Sequence, residues 1–374
     1  MYDESQLRGF QRIIAREVSL SDLLQHLSDL DPEPWRELIG TVPRTVSRER
    51  LLTRTDGRRG KGRADLALEN DADPETLIEV KLGHKFTSDQ RERYEATSDG
   101  PLILAGLSSD SHLISDDRWR FLNLSDIFAA WEHSRDSNAR SIAQIAADTL
   151  KEWDRTIDGV FKAGAPLATV QQRFLAQVVA RRIADELENR GWQVWAGVTS
   201  GSGGLPIASA WAPVDDDEDR AFIAEIRWGS DMQSGELRLG VDYWLEESQA
   251  ARTEAWSLAV AMQETIRIDT FREYLAVTNP ELNSLLLSDG AGRRMVNEDK
   301  WRPVIMHGFK SSTNPRGIKG GRRSNNPGFV GDGTQRFEAV SPIDYSRASA
   351  HNVVELLEAC LLYLRDRVPS ATAP

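Results

Sequence analysis

Residues 63–94 constrain the fold more than any other stretch of this chain. They read Arg63-Ala-Asp65-Leu-Ala-Leu, then a turn, then Leu77-Ile-Glu79-Val-Lys81-Leu, and later Gln90-Arg-Glu-Arg-Tyr94. Both apolar runs have the length of strands, and residues two apart in a strand share a face. Glu79 and Lys81 therefore point together, while Ile78, Val80 and Leu82 point the other way. A hairpin that buries two carboxylates and an ammonium on one face is costly unless those groups serve a purpose. The bland reading of the same residues is a solvated hairpin with Glu79 and Lys81 side by side, since acidic and basic residues alternate on many exposed strands.

Asp65, Glu79 and Lys81 are the residue types that metal-dependent phosphodiester cleavage asks for. Two carboxylates bind a hard cation such as Mg²⁺, which prefers oxygen ligands. The cation polarises a phosphoryl oxygen and lowers the pKa of a bound water. A lysine beside them orients that water and offsets charge in the transition state.

Asp65, thirteen intervening residues and then Glu79-Val80-Lys81 resemble the PD-(D/E)XK nuclease superfamily. Ala64 stands where that family usually has a proline. Gln90-x-x-x-Tyr94 resembles the extra Gln-x-x-x-Tyr element of several branches, including the RecB-like nucleases, and its spacing puts both residues one helical turn apart on one face. The resemblance covers the N-terminal half only. It implies a restriction-endonuclease-like α-β-β-β-α-β core and a Mg²⁺-dependent nuclease in which Mn²⁺ is a substitute. Asp65 and Glu79 are then metal ligands, joined by the Val80 carbonyl. Lys81 positions the water, Gln90 steadies the metal shell or the scissile phosphate, and Tyr94 packs or contacts the backbone. Some relatives place a glutamate of the first helix near the metal, which singles out Glu17. The other reading of Glu17 is an exposed helical glutamate beside a helix break at Val18–Ser19. Nucleic acid, with DNA favoured, is the implied partner. By analogy with bacterial restriction and anti-phage systems, a homodimer and partner proteins of a defence system also come into view. The competing reading is a nuclease fold that has lost catalysis and serves as a nucleic-acid or partner-binding module.

Net charge is −12, which by itself argues against nucleic acid. Distribution matters more than the sum. Residues 44–64 carry Arg44, Arg48, Arg50, Arg54, Arg58, Arg59, Lys61 and Arg63 against only Glu49 and Asp56. Residues 309–336 carry Lys310, Arg316, Lys319, Arg322, Arg323 and Arg336 against Asp332 alone. Such clusters supply phosphate contacts, and Arg54, Arg58, Arg59, Lys61, Arg63, Lys310, Arg316, Lys319, Arg322 and Arg323 are the candidate nucleic-acid contacts. Solvated loops are the alternative for both stretches. The single cysteine, Cys360, lies in an apolar run and reads as a core residue; one cysteine excludes an internal disulfide framework and fits a reducing cytoplasm. No apolar run has the length of a membrane span, and Met1-Tyr-Asp-Glu lacks the pattern of a signal peptide.

At 374 residues the chain is too long for one typical core. The reading is an α/β nuclease-like domain over 1–150, then an α+β domain over 165–374 of unassigned role. Periodicity predicts helix over 5–30, capped in its second half by Ser19 or Ser21, and strands at 45–54, 64–70 and 76–82. A helix from Thr87 or Ser88 to about 98, a buried strand at 102–106, a strand at 119–124 and a helix at 125–131 follow. A helical pattern leads into a loop at 159–166. The second half predicts helices at 168–190, 249–265, 269–276 and 346–367, with strands at 192–198, 207–211, 221–228 and 236–243. Residues 307–336 read as a long loop rich in Gly, Asn, Pro and Ser. The acidic run 215–219 reads as a solvated turn. Glu225-Ile-Arg227 echoes Glu79-Val-Lys81 only by coincidence. Trp195, Trp211, Trp228, Trp244 and Trp256 are expected in the core.

Overall fold

A computed structural model describes residues 4–52, 62–71, 74–114, 116–199, 204–214, 220–244, 248–287, 306, 328–331 and 335–367. The chain divides into two compact units, residues 1–158 and 159–374. Each is mixed α and β.

The first unit opens with helices α1 (Glu4–Ile14), α2 (Glu17–Leu30) and α3 (Trp35–Ile39). Strands β1 (Thr45–Leu52), β2 (Gly62–Glu69) and β3 (Thr76–Val80) follow, then α4 (Ser88–Glu95), β4 (Leu102–Gly106), β5 (Trp119–Asn123), α5 (Leu124–Ala129) and α6 (Ser137–Lys162). The five strands form one sheet in sequence order. β1, β2 and β3 are antiparallel neighbours, whereas β3, β4 and β5 run parallel. Helices pack on both faces. Every residue of β3 and β4 is consequently buried, which explains why β4 reads as an unbroken apolar run and why β3, beyond Thr76, is interrupted only by Glu79. α2 lays Leu20, Leu24 and Leu27 against the sheet at helical spacing, and each such leucine contributes about 1.5–3 kcal/mol. On the other face Tyr94 of α4 joins a cluster with Leu52, Ala67, Leu77, Leu104 and Trp119.

The second unit contains α7 (Arg173–Asn189), β6 (Gln193–Val198), β7 (Pro206–Pro213), β8 (Arg220–Trp228), β9 (Gly235–Tyr243), α8 (Gln249–Met262), α9 (Ile268–Thr278), α10 (Pro280–Asn283), β10 (Gly328–Gly331), β11 (Gln335–Ile343) and α12 (Ala350–Arg367). Its six strands are ordered β10-β11-β9-β8-β7-β6 and pair antiparallel throughout. α7 and α12 cover the face that carries Ala208, Ala224, Ile226 and Leu239.

Several expectations need correction. α2 starts at Glu17 with Arg16 as its N-cap, not at Ser19 or Ser21; the Ser21 hydroxyl bonds back to the Glu17 carbonyl inside the helix. α6 runs on to Lys162, beyond the expected loop start at 159. α7 begins at Arg173, after a short 3₁₀ turn at Leu167–Thr169. Residues 328–331 and 335–343, the first and part of the second read as loop, are strands. Trp195 and Trp244 are 48% and 47% exposed, Trp211 and Trp256 are half-buried, and only Trp228 of the five is buried. Glu225 and Arg227 belong to a buried ion network. Arg336 grips Asp242 through two 2.7 Å bonds and reaches Glu225 at 3.1 Å, while Arg238 meets Glu338 at 3.2 Å. Arg54, Arg58, Arg59, Lys61, Lys310, Arg316, Lys319, Arg322, Arg323 and the acidic run 215–219 lie outside the described residues.

Candidate active site

β3 delivers Glu79 to the middle of the first unit's sheet, and Lys81 follows directly, its N–H held by the Ala105 carbonyl at 2.8 Å. Alternation turns both side chains to the α4 side. There they are buried, at 4% exposure each, with Lys81 Nζ 2.5 Å from Glu79 Oε1. That burial rules out the solvated hairpin. Burial favours the neutral amine of Lys81, but Glu79, Glu17 and Asp65 outweigh it and hold its pKa above the ordinary value. The ammonium keeps its proton.

Asp65 stands on the neighbouring strand and is half-buried. Its Oδ2 accepts the Val80 N–H at 2.8 Å, so a side chain of β2 takes a donor of β3. Burial and the Glu79 charge push its pKa to about 7, with Glu17 adding to the rise and the Val80 N–H and Lys81 opposing it. Three carboxylates thus crowd one ammonium, and the shifted aspartate is the mark of that imbalance.

α4 supplies the remaining partners. Thr87 caps it in a reciprocal box: its hydroxyl accepts from Gln90 N, and Gln90 Oε1 accepts from Thr87 N. The other end of the same amide, Nε2, donates to Glu79 Oε1 at 3.3 Å. One turn on, the Tyr94 hydroxyl donates to Glu79 Oε2 and accepts the Asp65 N–H at 3.3 Å. Burial, then the Glu79 and Asp65 charges, raise the phenol's pKa well above its ordinary value, so it remains a donor.

Glu17 is not a plain exposed helical residue. Its Oε1 accepts the Leu82 N–H at 2.8 Å and lies 3.5 Å from His84 Nδ1. The first residue of α2 therefore clamps the chain just beyond Lys81. Asp110 is a second clamp that spacing gave no means of finding: it is buried, and Oδ2 accepts the Gly83 and Leu107 N–H groups at 3.2 and 3.0 Å. Arg63, the one candidate nucleic-acid contact of residues 54–63 that is described, is exposed and pairs with Glu49 at 3.2 Å.

Among the described residues no three His, Cys, Asp or Glu side chains are grouped to hold a metal ion on their own. A closed zinc site would need such a group. Mg²⁺ does not, because it keeps several waters and takes one or two carboxylates with substrate phosphates. The hard-oxygen donor set of Asp65, Glu79 and the Val80 carbonyl, with its excess of negative charge, fits that cation.

No family model matches the chain, nor does any curated protein or solved structure.

Proposed function

We propose that the first unit is a metal-dependent nuclease of the PD-(D/E)XK type, hydrolysing phosphodiester bonds of nucleic acid, with DNA the favoured substrate. The observation that carries this reading is the convergence of Asp65, Glu79 and Lys81 at one buried point of the sheet, with Gln90 and Tyr94 both bonded to Glu79. The element order around the site, from the helix bearing Glu17 through β1, β2, β3, α4 and β4, supports a restriction-endonuclease-like core.

Asp65, Glu79 and the Val80 carbonyl would hold Mg²⁺; Glu17, expected as a further ligand, is not grouped with the two carboxylates to hold an ion and instead accepts the Leu82 N–H. Bound there, the cation supplies Lewis acidity at the phosphate and a water of lowered pKa. Lys81 holds its proton at Nζ. It therefore acts as a hydrogen-bond donor that orients the attacking water and offsets charge on the phosphoryl oxygens, not as a base. Gln90 and Tyr94 fix the Glu79 carboxylate from two sides, so its position is set before substrate arrives. Glu17, by clamping Leu82, fixes the exit of β3 and with it the backbone of Lys81.

One observation favours the alternative, a binding module without catalysis. Both oxygens of Glu79 already accept hydrogen bonds from protein donors. A single experiment separates the two readings: cleavage of supercoiled plasmid and labelled single strands with Mg²⁺, Mn²⁺ or EDTA, by wild type and Lys81→Ala. The nuclease reading expects metal-dependent cutting that Lys81→Ala abolishes. Retained nucleic-acid binding without cutting by the folded wild type supports the binding module instead.

A further inference from the structure

Glu49 has φ 55°, one of two non-glycine residues with positive φ among the described residues, and it lies inside β1. A side chain there is uncommon and strained, and such outliers persist where surrounding structure enforces them. The β1–β2 register passes over this residue. Arg48 pairs with Leu66 and Arg50 with Ala64, leaving Glu49 and Asp65 opposite each other but outside the ladder. At that gap the Asp65 N–H goes to the Tyr94 hydroxyl on α4. The same hydroxyl donates to Glu79 Oε2. Among the described residues the Glu49 carboxylate makes only exposed contacts, to Arg48 at 3.4 Å and Arg63 at 3.2 Å. Exposed pairs of this kind are worth little and do not account for a strained backbone.

We infer that Glu49 is a positioning residue: its left-handed backbone opens the β1–β2 ladder opposite Asp65 and leaves the Asp65 N–H to Tyr94, so that one phenol fixes both acidic metal ligands. The inference rests on the reading of Asp65 and Glu79 as ligands. What matters at position 49 is then the backbone conformation and not the carboxylate. Glycine and asparagine adopt positive φ readily, alanine less so, and a β-branched residue least of all.

The test is a series in the full chain, Glu49→Gly, Glu49→Asn, Glu49→Ala and Glu49→Val, with Mn²⁺ affinity measured by titration calorimetry and folding checked by thermal melts. Gly and Asn are expected to bind Mn²⁺ within about twofold of wild type. Val is expected to bind about ten- to hundredfold more weakly, the usual cost of losing a residue that orients a ligand, and Ala to fall between. Combining Glu49→Val with Tyr94→Phe should cost no more than the worse single change, since both act on one hydrogen bond. If Val does not melt cooperatively, the comparison of Ala with Gly decides. A folded series with equal affinities overturns the role of Glu49, as does a loss in Gly and Asn equal to that in Val. A wild type that binds no Mn²⁺ overturns the assignment of Asp65 and Glu79 as ligands, and this inference with it.

Discussion

Tyr94 and Asp65 set the terms of the site at the level of single residues. The Tyr94 phenol serves two strands at once, bonding Glu79 of β3 and the backbone of Asp65 in β2. Tyr94→Phe leaves a buried carboxylate oxygen short of a donor, which costs about 1–3 kcal/mol; denaturant titration at pH 7 measures this. Asp65 makes a prediction about pH. Its pKa is 3.8 in an unfolded chain and about 7 in the folded one. Between those values the folded state holds the extra proton, so the group's contribution to stability is complete below the lower pKa and is lost as pH rises through the upper. Asp65→Asn removes that loss. In EDTA the variant is expected to match wild type at low pH and to exceed it at pH 8 by ~4 kcal/mol. Equal stability at pH 8 would show that Asp65 is not forced against its neighbours. The core triad was legible in the sequence because strand alternation alone puts Glu79 and Lys81 on one face. The part played by Glu17 was not, since its partner Leu82 lies 65 residues away and no local pattern reports such a contact.

At the scale of elements, legibility followed the environment of each strand. β2, β3 and β4 are buried on both faces or nearly so, and their apolar runs announce them. β11 escaped because its inward side chains include Arg336 and Glu338, which face a buried ion network and not an apolar core. Its other face does carry Phe337, Ala339 and Ile343 at a spacing of two or four, but charges buried on the first face break the apolar run, and the Gly- and Asn-rich run before it completed the disguise. α4 was legible through its cap. Thr87 opens it, and Gln90 closes the capping box while reaching Glu79, so the helix start and the site share one side chain. Thr87→Ala is expected to destabilise the protein by about 1 kcal/mol. It should also raise the metal concentration needed for half-maximal cutting, because α4 carries both Gln90 and Tyr94; a metal titration of cleavage rate reads that shift.

For the whole molecule, the two compact units each have a sheet and a core of their own. α6 continues four residues past the division, to Lys162, so a fragment must keep that helix whole. Residues 1–162 are expected to fold cooperatively and to bind Mn²⁺ as the full chain does, which circular dichroism melts and calorimetry check. In the second unit Arg336 is the hub of the buried network, touching Asp242 and Glu225. Arg336→Met strands those carboxylates, and breaking a buried pair from one side costs about 3–5 kcal/mol. A melt of the full-length variant should show one transition moved down, with Mn²⁺ affinity unchanged. The division into two parts was visible from length alone; the ion network was not, because its charges come from three strands spread over more than a hundred residues.

The most direct measurement is anomalous diffraction from crystals of the full chain soaked in Mn²⁺ at pH 8, where Asp65 is largely ionised. A manganese peak within bonding distance of the Asp65 and Glu79 carboxylates, absent from an Asp65→Asn crystal, is the result expected of a site built to hold a cation against a phosphate. A well-ordered site with Glu79 still bonded to Lys81, Gln90 and Tyr94 and no manganese beside it would contradict the metal-dependent nuclease.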